Sequence, residues 1–416
     1  MFGASSTLLA FPCPAQELAL EDEATAEDRE WIGGRPFGQW TRVTGDWGGI
    51  RTDLEDHGIE IAASYTADWA TPMRGGLRYR DSYISLTDIN VAFDLDTIAG
   101  LEKTFVYFDG YKIHGPSPSN DIGDAQGVSN IQGRNITQVA EMWIETWIGD
   151  HLRVKFGKVD FNSEFAFSEY SGDFINSTAA IPPSIVAYPT YPNPATSLNA
   201  FYQVDDTTYV GAGVYDGAGG DGINTGNKGL GGFFESEESD SWFLAAEVGT
   251  AWTGGGSWGS GRAALGVWHH TAKFTEFGGG QSDGSTGGWL TVEQQFVREN
   301  PDREEDSQGL YGFVTFGIAD ENVATFARTL AIGASWVGPL PSRDDDSIGL
   351  AIFHADLSDE PGSGTPRDET VFELTYKAQL TPAIILKPDL QFIRNPGGAA
   401  GVRDALAGLL RIEITL

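Results

Sequence analysis

From Ile59 to Leu416 the chain is dominated by sixteen segments in which apolar and polar residues alternate at every second position, and this pattern constrains the fold more than any other feature. They are 59–70, 84–96, 103–113, 138–148, 151–160, 197–204, 207–216, 242–253, 260–271, 287–298, 308–319, 326–338, 347–356, 368–380, 383–395 and 405–416. Their mean length of about 11 to 12 residues exceeds the roughly 5 to 6 of soluble strands and matches a tilted bilayer crossing. No run reaches the roughly 18 consecutive apolar residues that a membrane helix needs, which excludes a helical membrane protein. Barrel strands leave no such hydropathy peak.

The connections carry a second signal. Gly149-Asp150, Asp205-Asp206 and Thr381-Pro382 are tight turns, and 97–102 and 254–259 are little longer, whereas 71–83, 114–137, 161–196 and 217–241 are long. Short links at one end and long ones at the other predict a transmembrane barrel with periplasmic turns and extracellular loops. Residues 320–325 and 339–346 depart from that alternation. An even strand number returns both termini to the periplasm, closure removes exposed sheet edges, and sixteen strands enclose a water-filled lumen.

The faces agree. In 242–252, Trp242, Leu244, Ala246, Val248, Thr250 and Trp252 share an outward face and Glu247 lies on the other. Ten residues at about 3.3 Å and a tilt near 45° separate the two tryptophans by roughly 23 Å, close to the ~25 Å apolar band. In the last segment Leu406, Gly408, Leu410, Ile412, Ile414 and Leu416 point out, and Arg411, Glu413 and Thr415 point in. In 383–395, Ile384, Leu386, Pro388, Leu390 and Phe392 point out, and Lys387, Asp389 and Gln391 point in. Pro388 predicts a local bulge.

Composition narrows the partners. Charged residues are 20% and glycines number 54, which fits a glycine-rich all-β chain. A net charge of -33 repels nucleic-acid phosphates and anionic lipid headgroups, so nucleic acid is excluded as a partner. Residues 1–16 read as a signal-peptide remnant with an apolar centre at Leu8 to Phe11, and Cys13 falls within it. Residues 17–44 read as a disordered leader, acidic from Glu17 to Glu30.

Catalysis has little to build on. His269 and His270 are adjacent on one segment and point to opposite faces; His57, His114, His151 and His354 show no ligand-like spacing. Asp344, Asp345 and Asp346 read as a charged turn rather than a Ca²⁺ site, and GGGSWG at Gly254 and GAGGDG at Gly217 open no helix and so are not phosphate loops. Neither a metal nor a cofactor is expected.

Specific strings add a resemblance. GDWGGIRTDLEDHGI at Gly45–Ile59, EMWIE at Glu141–Glu145, VKFGKVDFNSEF from Val154, FINST from Phe174, GPLPSRDDDSIGL from Gly338, ELTYKAQLTP from Glu373 and KPDLQFIRNPGG from Lys387 occur in an order and spacing that resembles the carbohydrate-selective porins of Gram-negative outer membranes, the OprB family. The resemblance spans nearly all of 45–416. It implies an all-β, 16-stranded antiparallel transmembrane β-barrel with a short N-terminal helix at 47–57 and a constriction loop at 161–196. It further implies passive diffusion of mono- and small oligosaccharides, location in the outer membrane, and contact with outer-membrane lipid and the barrel-assembly machinery. Whether the barrel is a homo-oligomer stays open.

Sugar passage needs polar groups to replace hydration and aromatic faces for the ring. On the fourth and fifth segments Glu141, Trp143 and Glu145 share one face, and Arg153 and Lys155 share another, an arrangement read as opposed charges setting a transverse field across the lumen. In the long loop Glu164, Phe165, Glu169, Phe174 and Asn176 are candidates, within thirty-six residues read as lacking regular structure. Glu373, Asp389 and Gln391 complete the set, with Arg262 and Trp268 weaker. The acidity leans selectivity toward cations. The competing readings are a general, mildly cation-selective porin, an outer-membrane hydrolase and a soluble sugar-binding β-protein.

Overall fold

The computed structural model describes residues 37–225, 240–302, 307–365 and 367–416, so the signal-peptide reading and the leader up to residue 36 lie outside the described residues. All sixteen segments are strands: β1 (Ile59–Gly76), β2 (Ser82–Asp94), β3 (Thr104–His114), β4 (Ile136–Ile148), β5 (Leu152–Val159), β6 (Ala195–Gln203), β7 (Thr208–Asp216), β8 (Trp242–Trp252), β9 (Gly261–Thr275), β10 (Gln281–Arg298), β11 (Gly309–Ala319), β12 (Phe326–Val337), β13 (Ser347–Leu357), β14 (Glu369–Thr381), β15 (Ile384–Arg394) and β16 (Arg403–Thr415). Each pairs antiparallel with its sequence neighbours, and β16 pairs with β1 from Ser64↔Thr415 to Gly76↔Arg403, closing the barrel. Closure satisfies the backbone polar groups that lipid cannot.

Burial is inverted relative to a soluble protein. The outward set of β8, β9, β13, β14 and β15, including Trp242, Leu244, Val248, Leu265, Val267, Leu350, Ile352, Phe372 and Phe392, is exposed, while Phe243, Glu247, Trp268 and Glu373 are buried inside. Tight glycine–aromatic pairs recur on the inner wall. A Cβ on Gly266 would come within 2.0 Å of the Trp289 ring, and one on Gly213 within 2.9 Å of Phe165. These glycines let large rings lie flat against the wall.

Three expectations change. β1 and β10 are each 18 residues long, so the first extracellular link is 77–81 rather than 71–83, and 276–280 is equally short. Their distal stretches, such as Arg74-Gly75-Gly76 and Ser282-Asp283-Gly284-Ser285, pair beyond the apolar band, where no hydrophobic alternation marks a strand. Pro388 produces no bulge: it stays opposite Leu410, and the β14–β15 register continues unshifted past it to a bulge at Gln379/Thr381. Proline removes a donor without forcing an inserted residue.

The N-terminal helix is α1 (Ile50–Asp56), shorter than expected, and its motif is readable in the geometry. Trp47, Gly48 and Gly49 take positive φ (52°, 74° and 97°), turning the chain so that the Asp46 carboxylate accepts from Thr52 N and Oγ1, each at 2.9 Å. Arg51, buried and lying over the Trp47 ring at 4.2 Å, donates to Gly45 O, Ile61 O and Leu416 O. One guanidinium thus ties the helix to both strands of the closing seam. Residues 37–44, read as disordered leader, instead pack there: Arg42 donates to Glu55 at 2.8 Å and Val43 N to Thr415 O at 2.9 Å. Three more short helices are α2 (Leu95–Ala99), α3 (Ser119–Ile122) and α4 (Ser177–Ala180).

Candidate functional site: an inward loop pinned by wall carboxylates

Residues 160–194, between β5 and β6, turn into the barrel. Asp160 closes the base of this loop by accepting from Asn162 N, Thr190 Oγ1 and Tyr191 N, at 2.8, 2.5 and 2.9 Å, so both ends meet at one carboxylate. Wall glutamates then hold the backbone in succession. Glu247 on β8 accepts from Ala166 N (3.2 Å), Glu293 on β10 from Tyr170 N (2.7 Å), and Glu373 on β14 from Ile175 N (2.6 Å) and Asn176 N (3.1 Å). A buried carboxylate needs donors and an irregular loop has unpaired N–H groups, so each satisfies the other. The loop therefore crosses from β5 to β14. It also contains a 3₁₀ turn at Phe161–Ser163 and α4, capped by the Asn176 side chain accepting from Thr178 N, so it has some regular structure after all.

Where the loop begins, four charges form a closed cluster. Glu164 accepts from Arg153 Nη2 at 2.5 Å and Lys155 Nζ at 2.6 Å, and Glu145 meets the same two bases at 3.1 and 3.2 Å. All four are buried. Lys155 Nζ lies 4.0 Å over the Trp143 ring, which stacks on Tyr107 at 4.8 Å, and Arg153 lies 4.5 Å over Phe201. Glu141 accepts from Trp143 Nε1 and from Asp160 N. The expected transverse field is thereby corrected: these acids and bases sit on adjacent strands and neutralise one another under the loop instead of facing each other across open water. Phe165 packs with Phe161, Phe201 and Trp289, and Phe174 with Phe313 and Phe353, giving the loop an aromatic underside.

A second inward segment, 115–135, is knitted to the first. Asn130 N donates to Ile175 O and Ser177 N to Gly127 O, each at 2.8 Å. Glu369 accepts from Ala125 N, Gln126 N and Gly397 N, and Asp68 accepts from Ser129 Oγ and, in bidentate fashion, from Arg411. In this segment burial, followed by the neighbouring Glu369 carboxylate, pushes the Asp124 carboxyl up to about 7. The folded loop thus keeps a proton that an unfolded aspartate releases near pH 4. The sign follows: this stabilisation is complete below about pH 4 and is lost as pH rises through about 7. Protease protection of 115–135 is expected to fall between about pH 4 and 7 in the wild type and to fall less steeply in Asp124→Asn; equal slopes would clear Asp124 of the effect.

Glu141, Trp143, Glu145, Arg153, Lys155, Glu164, Phe165, Phe174, Asn176, Glu373, Asp389 and Gln391 are thus brought to the inner wall and loop but buried, with Glu169 exposed. Asn176 Nδ2 donates to Gln391 Oε1 at 3.1 Å, and Gln391 in turn donates to Asp389. Trp268 is buried, and Arg262 lies 3.8 Å over Phe167 and 3.5 Å from Glu293. Asp346 accepts from Arg343 Nε, Gln379 N and the Tyr376 hydroxyl, occupied by its own turn. Sequence reasoning passed over Glu293, Glu369 and Asp160, although Glu293 shares the inward face of its strand with Trp289 and Thr291. The inward side chains that keep water contact lie mainly elsewhere: Ser64 and Thr66 on β1, Asp88 and Asn90 on β2, and Glu413 on β16.

The family model described as carbohydrate-selective porin, OprB family, matches residues 80–416. Porin B of Pseudomonas aeruginosa is 26% identical over 435 residues, covering 91% of each chain. The high-pH structure of Pseudomonas putida OprB superposes with a TM-score of 0.81 at 21% identity, covering 92% of this chain and 100% of that one. The low-pH structure gives 0.61 at 18% identity, covering 91% and 99%. These two are likenesses of fold. With a family model over most of its length and a closed sixteen-stranded barrel, the chain belongs to the carbohydrate-selective porin family, OprB, of outer-membrane channels.

Proposed function

We propose that neutral sugars diffuse down their gradient through the gap between the loop face bearing Phe167, Glu169 and Tyr170 and the polar wall of Ser64, Thr66, Asp88, Asn90 and Glu413. One observation carries this reading: the loop is pinned at β8 and β10, across the sixteen-strand ring from the water-accessible polar wall of β16, β1 and β2, and only its far end reaches β14. Hydroxyls and carboxylates there offer replacements for sugar hydration, and Phe167 and Tyr170 offer ring faces. The buried residues Glu145, Arg153, Lys155, Glu164 and Glu373 act as positioning residues that set the width.

Planar-bilayer recordings of the purified protein with titrated mono- and disaccharides test the proposal. Saturable block of the current is expected, weakened several-fold in Tyr170→Ala, since an aromatic contact contributes about 1 kcal/mol. An ohmic current indifferent to every sugar would overturn it. The cation-selective reading draws on Asp88 and Glu169 against Arg262 around the same gap, Glu413 being paired with Lys387 at 3.0 Å, and a reversal potential in a salt gradient should show cation preference. Anion preference would exclude it.

A further inference from the structure

The acidity of the chain as a whole conceals a basic sector on its lipid-facing rim. Between β1 and β16 the register steps from Pro72↔Ala407 to Arg74↔Leu406, so Met73 is the inserted residue of a bulge. Such a bulge re-aims the side chain that follows it. Leu406 faces out and pairs on its other side with Phe392, so Phe392, Leu406 and Arg74 form one row across β15, β16 and β1 on the outer face. Gly75 and Gly76 make the turn feasible: both have positive φ (70° and 68°), and a Cβ on Gly75 would meet Asp404 O at 1.8 Å. Above the row, Arg74 and Arg403 border a cavity of about 390 Å³ whose other walls include Phe392, Leu406 and Asp404.

We propose that this cavity binds the phosphate head group of an acylated glycolipid of the outer leaflet. Arg74 and Arg403, both exposed, are in no ion pair among the described residues, and neither is the nearby Arg394. The neighbouring Arg78 and Arg80 are consumed by Asp121, at 3.0 and 2.9 Å. Asp404 already accepts from Asn395 N at 3.0 Å, so two guanidiniums face one engaged carboxylate. Arginine matches phosphate oxygens in bidentate geometry. Long-range repulsion from the net charge of -33 does not decide the matter, because screening at about 0.1 M salt limits it to about 10 Å and leaves the local arginines in control.

The apolar half of the site selects a lipid over a free anion. Below the row the outer wall presents Phe372, Leu390 and Leu410, all exposed, and the exposed Met73 side chain lies over Gly408, where a Cβ would meet its Cε at 2.3 Å, giving a continuous apolar surface at acyl-chain level. A rim arginine elsewhere lacks this combination: Arg328, over β12 and β13, is paired with Asp356 at 3.2 Å.

The test uses the intact detergent-purified porin, with a bis-phosphorylated hexa-acyl disaccharide lipid as probe and native mass spectrometry as the readout. One bound lipid is expected, with affinity at least tenfold weaker in the R74Q/R403Q double variant, unchanged in R328Q, and at least tenfold weaker for the dephosphorylated lipid. Unchanged binding by the double variant, or equal affinity for the dephosphorylated lipid, would overturn the proposal. Displacement by millimolar inorganic phosphate would also overturn it, reducing the site to an anion pocket. Should the double variant not assemble, R403Q at the exposed first residue of β16 carries the same comparison.

Discussion

Replacing Glu164 with alanine is expected to widen the pore: single-channel conductance rises and sugar saturation is lost, while the barrel keeps its heat-resistant migration on gels. Glu164 has no solvent exposure and neutralises Arg153 and Lys155, so the cluster of two acids and two bases is balanced. Truncation leaves a surplus positive charge under the loop, and breaking a buried ionic group from one side costs about 3 to 5 kcal/mol. Where that cost is relieved decides the phenotype. The barrel is held by sixteen continuous strand pairings, whereas the loop is held by a few side-chain anchors and opens as a smaller unit. The loop therefore leaves the lumen before the wall yields. Replacing Glu145, Arg153, Lys155 and Glu164 together by apolar residues of similar volume is expected to restore much of the wild-type conductance, because a well-packed apolar set carries no desolvation cost. Wild-type conductance in Glu164→Ala would show that the cluster does not position the loop.

The wall was legible in the sequence and the interior was not, for one physical reason. Lipid enforces a period-two pattern on every spanning strand, so Trp242 to Trp252 and Leu406 to Leu416 declare their faces residue by residue. Beyond the apolar band that pressure ends, and the extensions of β1 and β10 carried no pattern to read. Inward positions could be recognised as inward, yet alternation says nothing about what covers them. Glu373 looked like a lumen acid; in the fold it is a backbone acceptor for Ile175 and Asn176, nearly two hundred positions earlier in the chain. Contacts between a loop and a distant strand leave no local periodicity. The charges of β4 and β5 show the same limit, because the partner that converts them into a closed cluster is Glu164, outside both strands.

The closing seam offers the second large effect. Asp68 and Arg411 stand directly opposite in the β1–β16 register, the carboxylate fully buried and receiving Arg411 Nε at 2.7 Å and Nη2 at 2.8 Å. The same pair holds the 115–135 segment, since Ser129 Oγ donates to Asp68 at 2.6 Å and Arg411 Nη2 donates to Asn130 at 2.7 Å. Arg411→Met leaves Asp68 charged, buried and short of donors, and is expected to lower barrel stability by about 3 to 5 kcal/mol. Unlike the Glu164 cluster, this cost falls on two strands that must meet for the barrel to close, so refolding from urea into lipid vesicles is expected to slow as well. Asp68→Asn in the Arg411→Met background removes the stranded charge, and the double variant is expected to be more stable than Arg411→Met alone. Purely additive losses in that cycle would mean that the two side chains pack the seam independently and that their ion pair contributes nothing to closing it.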